Sequence, residues 1–193
     1  LLRLPRTTQR VDQLVLLLGG NGGYYHDTIE FVSILAITER LGLDRQLPLV
    51  VNERPAAHMT ELLDLLGYGA TPLLQVGRDA PAHFERLLVT TRLAAGTQWF
   101  DPMLARWYRR RLVEPLGKLP APHRKLYLSR ARSARRRLSN EEAVVAALRP
   151  LGYEVVCPEA MSVRDQIALF AHASHIVGPS GAAFTNMIYA PPG

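Results

Sequence analysis

Residues 175–193 read HIVGPSGAAFTNMIYAPPG, and the fold of the chain turns on how that stretch is parsed. Ile176 and Val177 predict the end of a buried strand, residues 178–181 a tight loop, and residues 182–189 a helix that starts at once. Such a junction leaves backbone N–H groups at a helix N-terminus, where they and the helix dipole favour an anion such as phosphate. By itself the loop also reads as an ordinary glycine turn. A second stretch gives the anion reading weight. Residues 124–137, RKLYLSRARSARRR, hold seven basic residues and no acidic one, while the rest of the chain has 16 basic against 17 acidic. The formal net charge of +6 is therefore local. Charge concentrated in this way implies a specific anionic partner or a nucleic-acid footprint, with a solvated arginine face as the plain alternative.

Outward from these two stretches, composition sets bounds. A chain of 193 residues with 48% hydrophobic content can bury a real core, as one large or two small domains. The lone Cys157 excludes an internal disulfide framework and a cysteine zinc site. No apolar run approaches the roughly 20 residues needed to cross a bilayer. Both ends suggest a longer chain: Leu1 is not a start methionine, and the sequence stops on Pro191-Pro192-Gly193 directly after a helix.

Read in order, strand alternates with helix. Residues 14–18 predict a buried strand running into Gly19-Gly20-Asn21-Gly22-Gly23, and Tyr24-Tyr25-His26 leads into a helix to about Arg40 with Ile29, Val32, Leu35 and Ala36 on one face. Strands follow at 48–52, 71–76 and 85–90, a helix at 56–66, and a long helix from Pro102 to about Leu116 with Asp101 as its N-cap. The segment 117–122, GKLPAP, reads as a linker, dividing the chain into domains 1–120 and 121–193. Beyond it come strand 125–129, helix 140–150, strand 153–156, helix 163–173 and strand 174–177. Ser139 with Glu142 and Ser162 with Asp165 predict capping boxes. This alternation implies α/β folding on mostly parallel sheets. In a parallel sheet Ser129-Arg130 and the loop 178–181 emerge at the same carboxyl edge, where such folds bind ligands, and Asn140 and Glu141 start the intervening helix at that edge.

On these residues the C-terminal half resembles family 61 glycosyltransferases. Leu128-Ser129-Arg130 matches the family's strand-Ser-Arg, Arg136-Arg137-Leu138-Ser139-Asn140-Glu141 its Arg-Arg-X-X-Asn-Glu, and residues 178–186, GPSGAAFTN, its Gly-Pro-His-Gly-Ala-X-X-X-Asn. Tyr24-Tyr25-His26 is similar to its Tyr-His motif. The family's loop histidine is Ser180 here, and the aromatic residue usual after Tyr-His is Asp27. The resemblance implies a GT-B architecture of two Rossmann-like domains facing across a cleft, with the nucleotide-sugar in the C-terminal one. It also implies inverting hexosyl or pentosyl transfer without a cofactor or essential metal. The expected donor is a UDP-sugar, the acceptor a glycan or glycoconjugate hydroxyl in surface polysaccharide synthesis. The expected setting is the cytoplasm or the periphery of the inner membrane.

The chain contains no Asp-X-Asp, so a leaving diphosphate would be stabilised by arginine and helix-terminus charge. Arg130, Arg136, Asn140, Glu141, Gly178, Ser180, Gly181, Ala182 and Asn186 are the expected donor-site residues. His26 suits a general base at neutral pH, with Asp27 as second choice. Rival readings are nucleic-acid binding through the basic stretch, which has only Tyr127 as a stacking partner, and an inactive transferase-like scaffold.

Overall fold

The computed structural model describes residues 9–43, 45–52, 54–77, 81–95, 99–133 and 137–192. The chain groups into two compact units, Leu1–Leu104 and Ala105–Gly193. The helical run expected to close a domain ending at residue 120 thus groups, from Ala105 onward, with the second unit.

The first unit is built on a four-stranded parallel sheet in the order β3-β2-β1-β4, with β1 Gln9–Gly19, β2 Leu49–Asn52, β3 Leu73–Val76 and β4 Ala82–Leu88. Strand β1 is longer than its apolar run because polar residues flank a buried centre, where Val15, Leu16 and Leu18 are almost fully enclosed. After it the chain turns helical at Tyr24. The run is not one α-helix: His26–Phe31 is π-helical, Val32–Ile34 is 3-10, and only α1, Leu35–Arg40, is regular. Its core face is as the periodicity predicts, with Ile29, Val32, Leu35 and Ala36 all buried. Helix α2, Ala57–Leu65, buries Met59, Leu62 and Leu63. A short antiparallel pair, β5 Ala94–Ala95 and β6 Trp99–Phe100, had no pattern long enough to foresee.

Helix α3, Pro102–Tyr108, starts as expected on Asp101, whose carboxylate accepts from the Met103 N–H at 2.7 Å. The run continues as a π-helical turn at Arg109–Val113. The second unit's sheet is parallel and three-stranded in the order β8-β7-β9, with β7 Arg124–Leu128, β8 Tyr153–Val156 and β9 Ala173–Val177. Its core joins Leu126, Tyr127 and Leu128 of β7 with Tyr108, Phe170 and Tyr189. Helix α5, Val163–Ala171, begins on the foreseen capping box: Asp165 N–H donates to Ser162 Oγ at 3.0 Å, and Ser162 Oγ lies 2.7 Å from Asp165 Oδ2. The other expected box does not form. Helix α4, Glu141–Leu148, starts from Asn140, one residue beyond Ser139, and the Asn140 side chain makes no cap bond. The helix after the glycine loop, Ala182–Tyr189, is 3-10 rather than α, and Arg109 closes its end by donating to the carbonyls of Tyr189 and Ala190 at 3.3 and 2.6 Å.

Both parallel sheets reverse their strand order at an inner strand. In the first, β2 lies on one side of β1 and β4 on the other; in the second, β8 and β9 flank β7. The crevice outside the carboxyl ends at such a reversal is where open α/β sheets take ligands. The loop 19–23 and the pair of loops after β7 and β9 occupy those positions. Among the described residues no helix is long and apolar enough to cross a membrane.

Candidate functional site

In the second unit, Arg130 follows β7 and the loop 178–181 follows the neighbouring β9, and they meet as the sequence geometry anticipates. The Arg130 guanidinium lies on the loop, with Nη1 3.4 Å from the Ser180 carbonyl and Nη2 donating to Ser133 Oγ at 2.8 Å. Two glycines make this approach possible. A Cβ at Gly178 would stand 2.7 Å from the Leu128 carbonyl oxygen and 2.9 Å from Leu128 Cβ, and one at Gly181 would overlap Arg130 Nη1. Gly181 itself is extended at φ 174°, so its lack of a side chain serves space rather than backbone strain. Ser180 and Ala182 are exposed on the loop and at the start of the 3-10 helix.

Glu141 fixes where Arg130 starts. Its Oε1 accepts from the Arg130 backbone N–H at 2.9 Å and from the Tyr127 hydroxyl at 3.1 Å, and the Ser129 hydroxyl also donates to it. Partial burial pushes the Glu141 carboxyl up, but these three hydrogen bonds outweigh it and hold the group below the usual range. Burial pushes the Tyr127 phenol up to about 12, with the Glu141 anion adding to the effect. Glu141 therefore latches the turn between β7 and α4. Beside the same turn lies an open groove of about 360 Å³, lined by Ser129, Ala131, Glu141, Val145, Arg149 and Val155.

Other expected donor-site residues are placed differently. Asn186 is fully buried and donates to Gln166 Oε1 at 2.7 Å and to the Ala183 carbonyl at 3.2 Å, so it ties the 3-10 helix to α5, out of reach of a ligand. Asn140 is exposed at the start of α4. Arg136 lies outside the described residues. The basic stretch does not act as one face. Arg124 forms a two-pronged pair with Glu154 on the adjacent strand, and Lys125 donates to the Leu151 carbonyl at 3.1 Å. Arg130 is the described member that faces the glycine loop.

In the first unit the loop 19–23 folds around an acid. Gly19, Gly20 and Gly22 take φ values of 84°, 132° and 80°, which only glycine adopts without strain. The turn they make directs the Asn21 N–H onto Asp27 Oδ1 at 2.8 Å, and the Gly22 N–H donates to the same carboxylate. Asp27 is 0% exposed, and its Oδ2 lies 2.9 Å from His58 Nε2 on α2. Burial alone would raise the Asp27 pKa, yet the bonds from His58, Asn21 and Gly22 hold it below the ordinary value. So enclosed, the Asp27 carboxylate has no exposed surface of its own. Its partner is His58, not the adjacent His26. His26 instead places Nδ1 3.1 Å from Glu30 Oε1, a pair too poorly aligned to be a hydrogen bond, and Glu30 Oε2 is taken by Arg92 at 3.1 Å. Sequence reasoning passed over His58 because it is 31 residues from Asp27 and has no motif around it.

Among the described residues no group of three or more His, Cys, Asp or Glu side chains is gathered to hold a metal ion. The family model described as Glycosyltransferase 61 matches residues 24–193, which takes in both glycine loops' helical flanks, Arg130 and Glu141. No curated protein matches the chain.

Proposed function

The chain belongs to glycosyltransferase family 61, and on that premise we propose that it is an inverting transferase moving a sugar from a nucleotide diphosphate donor to a glycan hydroxyl. The observation that carries this reading is the contact of the Arg130 guanidinium with the loop 178–181 at the carboxyl edge of a parallel sheet. A diphosphate seated there meets a fixed cation and a helix N-terminus, the two features that neutralise a phosphate oxygen as charge develops on it. The leaving group's charge is then met by the chain's own groups, which is the basis for reading the transfer as metal-independent. The groove beside the same turn falls within the size range of small-ligand sites and suits the nucleoside, for which a uridine is the first choice. Ser180 offers a hydroxyl where the family carries a histidine, and Asn140 at the mouth of α4 offers an amide to ribose or sugar. In this reading the two α/β units are the acceptor and donor halves of a GT-B enzyme.

Calorimetric titration with UDP tests it, with GDP and CMP as comparisons and no added metal. The expected result is micromolar UDP binding that weakens by roughly 1.5–3 kcal/mol in Arg130→Ala, as loss of a charge-assisted bond should give. Arg136→Ala measures whether the neighbouring cation shares the task. A folded protein that binds none of the three nucleotides rules the donor site out.

A further inference from the structure

Helix α4 has no buried residue, although its sequence EEAVVAAL is mostly apolar. Its uncovered face is one wall of the groove beside the Arg130 turn. Glu141, Glu142, Val145, Ala146 and Arg149 line the groove from that helix, and Val155 of the edge strand β8, 42% exposed, lines it from the sheet. The groove also takes in Ser129, the residue before Arg130, so it is continuous with the contact between Arg130 and the loop 178–181. Its two ends carry opposite charge. At one end the Glu141 carboxylate is held by its three donors. Arg149 stands at the other, two turns and about 12 Å further along the helix axis. Helical side chains lean toward the helix N-terminus, which brings Arg149, just past the last residue of α4, back over the groove. Arg124 and Arg130 are engaged by neighbours, whereas the Arg149 guanidinium makes no hydrogen bond or ion pair among the described residues. We propose that Arg149 selects the donor's nucleobase, taking bases with a carbonyl oxygen on the edge far from the sugar and rejecting those with an amino group there, an assignment that rests on the donor reading above.

The chemistry follows from the order of the parts. A diphosphate at Arg130 sets the ribose at the Ser129 end of the groove. The base then lies between Val145, Ala146 and Val155, whose apolar surfaces suit the faces of a flat ring. Its far edge meets Arg149. A guanidinium has donors and no acceptor. Uracil presents the O4 acceptor on that edge, and cytosine presents the N4 amino donor. Two donors facing each other leave both unpaired, which costs more than the missing bond alone. UDP and CDP share phosphates and ribose and are close in size, so a difference between them reports on the base edge. A guanidinium that only complemented the α4 dipole would treat the two alike.

Calorimetric titration with UDP and with CDP tests the assignment. The wild type is expected to bind UDP about tenfold more tightly than CDP. Arg149→Ala is expected to weaken UDP about tenfold and to leave CDP within about twofold, so that the preference disappears. In Arg149→Glu the introduced carboxylate accepts from the cytosine amino group, and CDP is expected to become the tighter ligand. Ala146→Leu narrows the groove and is expected to weaken both nucleotides alike. Arg149 and Ala146 are both exposed, and the urea midpoint of each variant checks that it folds. Equal affinity of the wild type for UDP and CDP overturns the proposal while leaving the phosphate site in place. So does an Arg149→Ala loss shared equally by the two nucleotides, an unchanged preference in Arg149→Glu, or an Ala146→Leu protein that binds both as the wild type does. Failure of the wild type to bind either nucleotide is the separate failure of the donor reading, and the assignment falls with it.

Discussion

The loop 19–23 follows the inner strand β1 of its sheet and the loop 178–181 follows β9, the neighbour of the inner strand β7, so both lie at a reversal of strand order, yet they are flanked by opposite charges. The first closes on the chain's own anion: the Asn21 and Gly22 N–H groups point inward to Asp27. The second has no acidic residue after Asp165 to fill it and is flanked by a cation, Arg130. A loop filled by an internal carboxylate is a structural element that can orient a neighbour such as His58. A loop flanked by a guanidinium suits the anion that the proposed donor would bring from outside. Glycine therefore does different work in each, giving positive φ in the first and close approach in the second.

The largest expected effect comes from emptying the first loop. Asp27→Ala leaves two N–H groups and an imidazole facing a cavity, and a loss of about 3 kcal/mol is expected from the urea midpoint. Acid titration gives the sign independently. The Asp27 pKa is depressed in the folded protein, so its contribution is present above the unfolded value of about 3.9 and is lost as pH falls through the folded one. Asp27→Asn should flatten that part of the acid limb. A small loss in Asp27→Ala with an unchanged acid limb would mean that the first loop, too, is open to an outside anion.

The second loop divides between its two glycines. Gly178→Ala drives a methyl against the Leu128 backbone, which cannot retreat, and about 2 kcal/mol of destabilisation is expected. Gly181→Ala meets only the tip of a flexible side chain. Its stability should stay within about 0.5 kcal/mol, while UDP affinity falls by about 1 kcal/mol as Arg130 is displaced. Equal effects of the two substitutions on both readouts would erase the distinction between packing and binding glycines.

What was legible in the sequence follows the range of the signal. The strands and most helix limits rest on local periodicity, and the Arg130 contact followed from one rule about parallel sheets. Local pattern does not encode the choice between α, π and 3-10 turns: residues 26–34 and 182–189 carry helical spacing, but packing sets their pitch. Asn186 and Glu141 illustrate the other gap. Each sits in a motif that resembles a binding site, yet tertiary bonds turn the first into α5 and the second onto Ser129, Arg130 and Tyr127. The His58 contact with Asp27 came into view only when the fold brought α2 to that loop.

The smallest expected effect asks how firmly the second loop's cation is held from behind. Tyr127→Phe removes one of three donors from Glu141 and leaves the bond to the Arg130 N–H in place, so a loss of about 1 kcal/mol is expected. The wild-type phenol is raised to about 12 in the folded protein, so its stabilising contribution is complete below the unfolded value near 10 and declines as pH rises toward 12. Tyr127→Phe should remove that part of the alkaline loss. Tyr68 of the first unit, also raised to about 12 by burial and by Glu39, should keep its own part and serves as the internal control. UDP affinity decides what the latch is for. If it stays within about twofold in Tyr127→Phe, two donors are enough to hold the turn that launches Arg130. If it falls as far as in Arg130→Ala, the anion site extends back through Glu141 into the core of the sheet, and the second loop is as internally wired as the first.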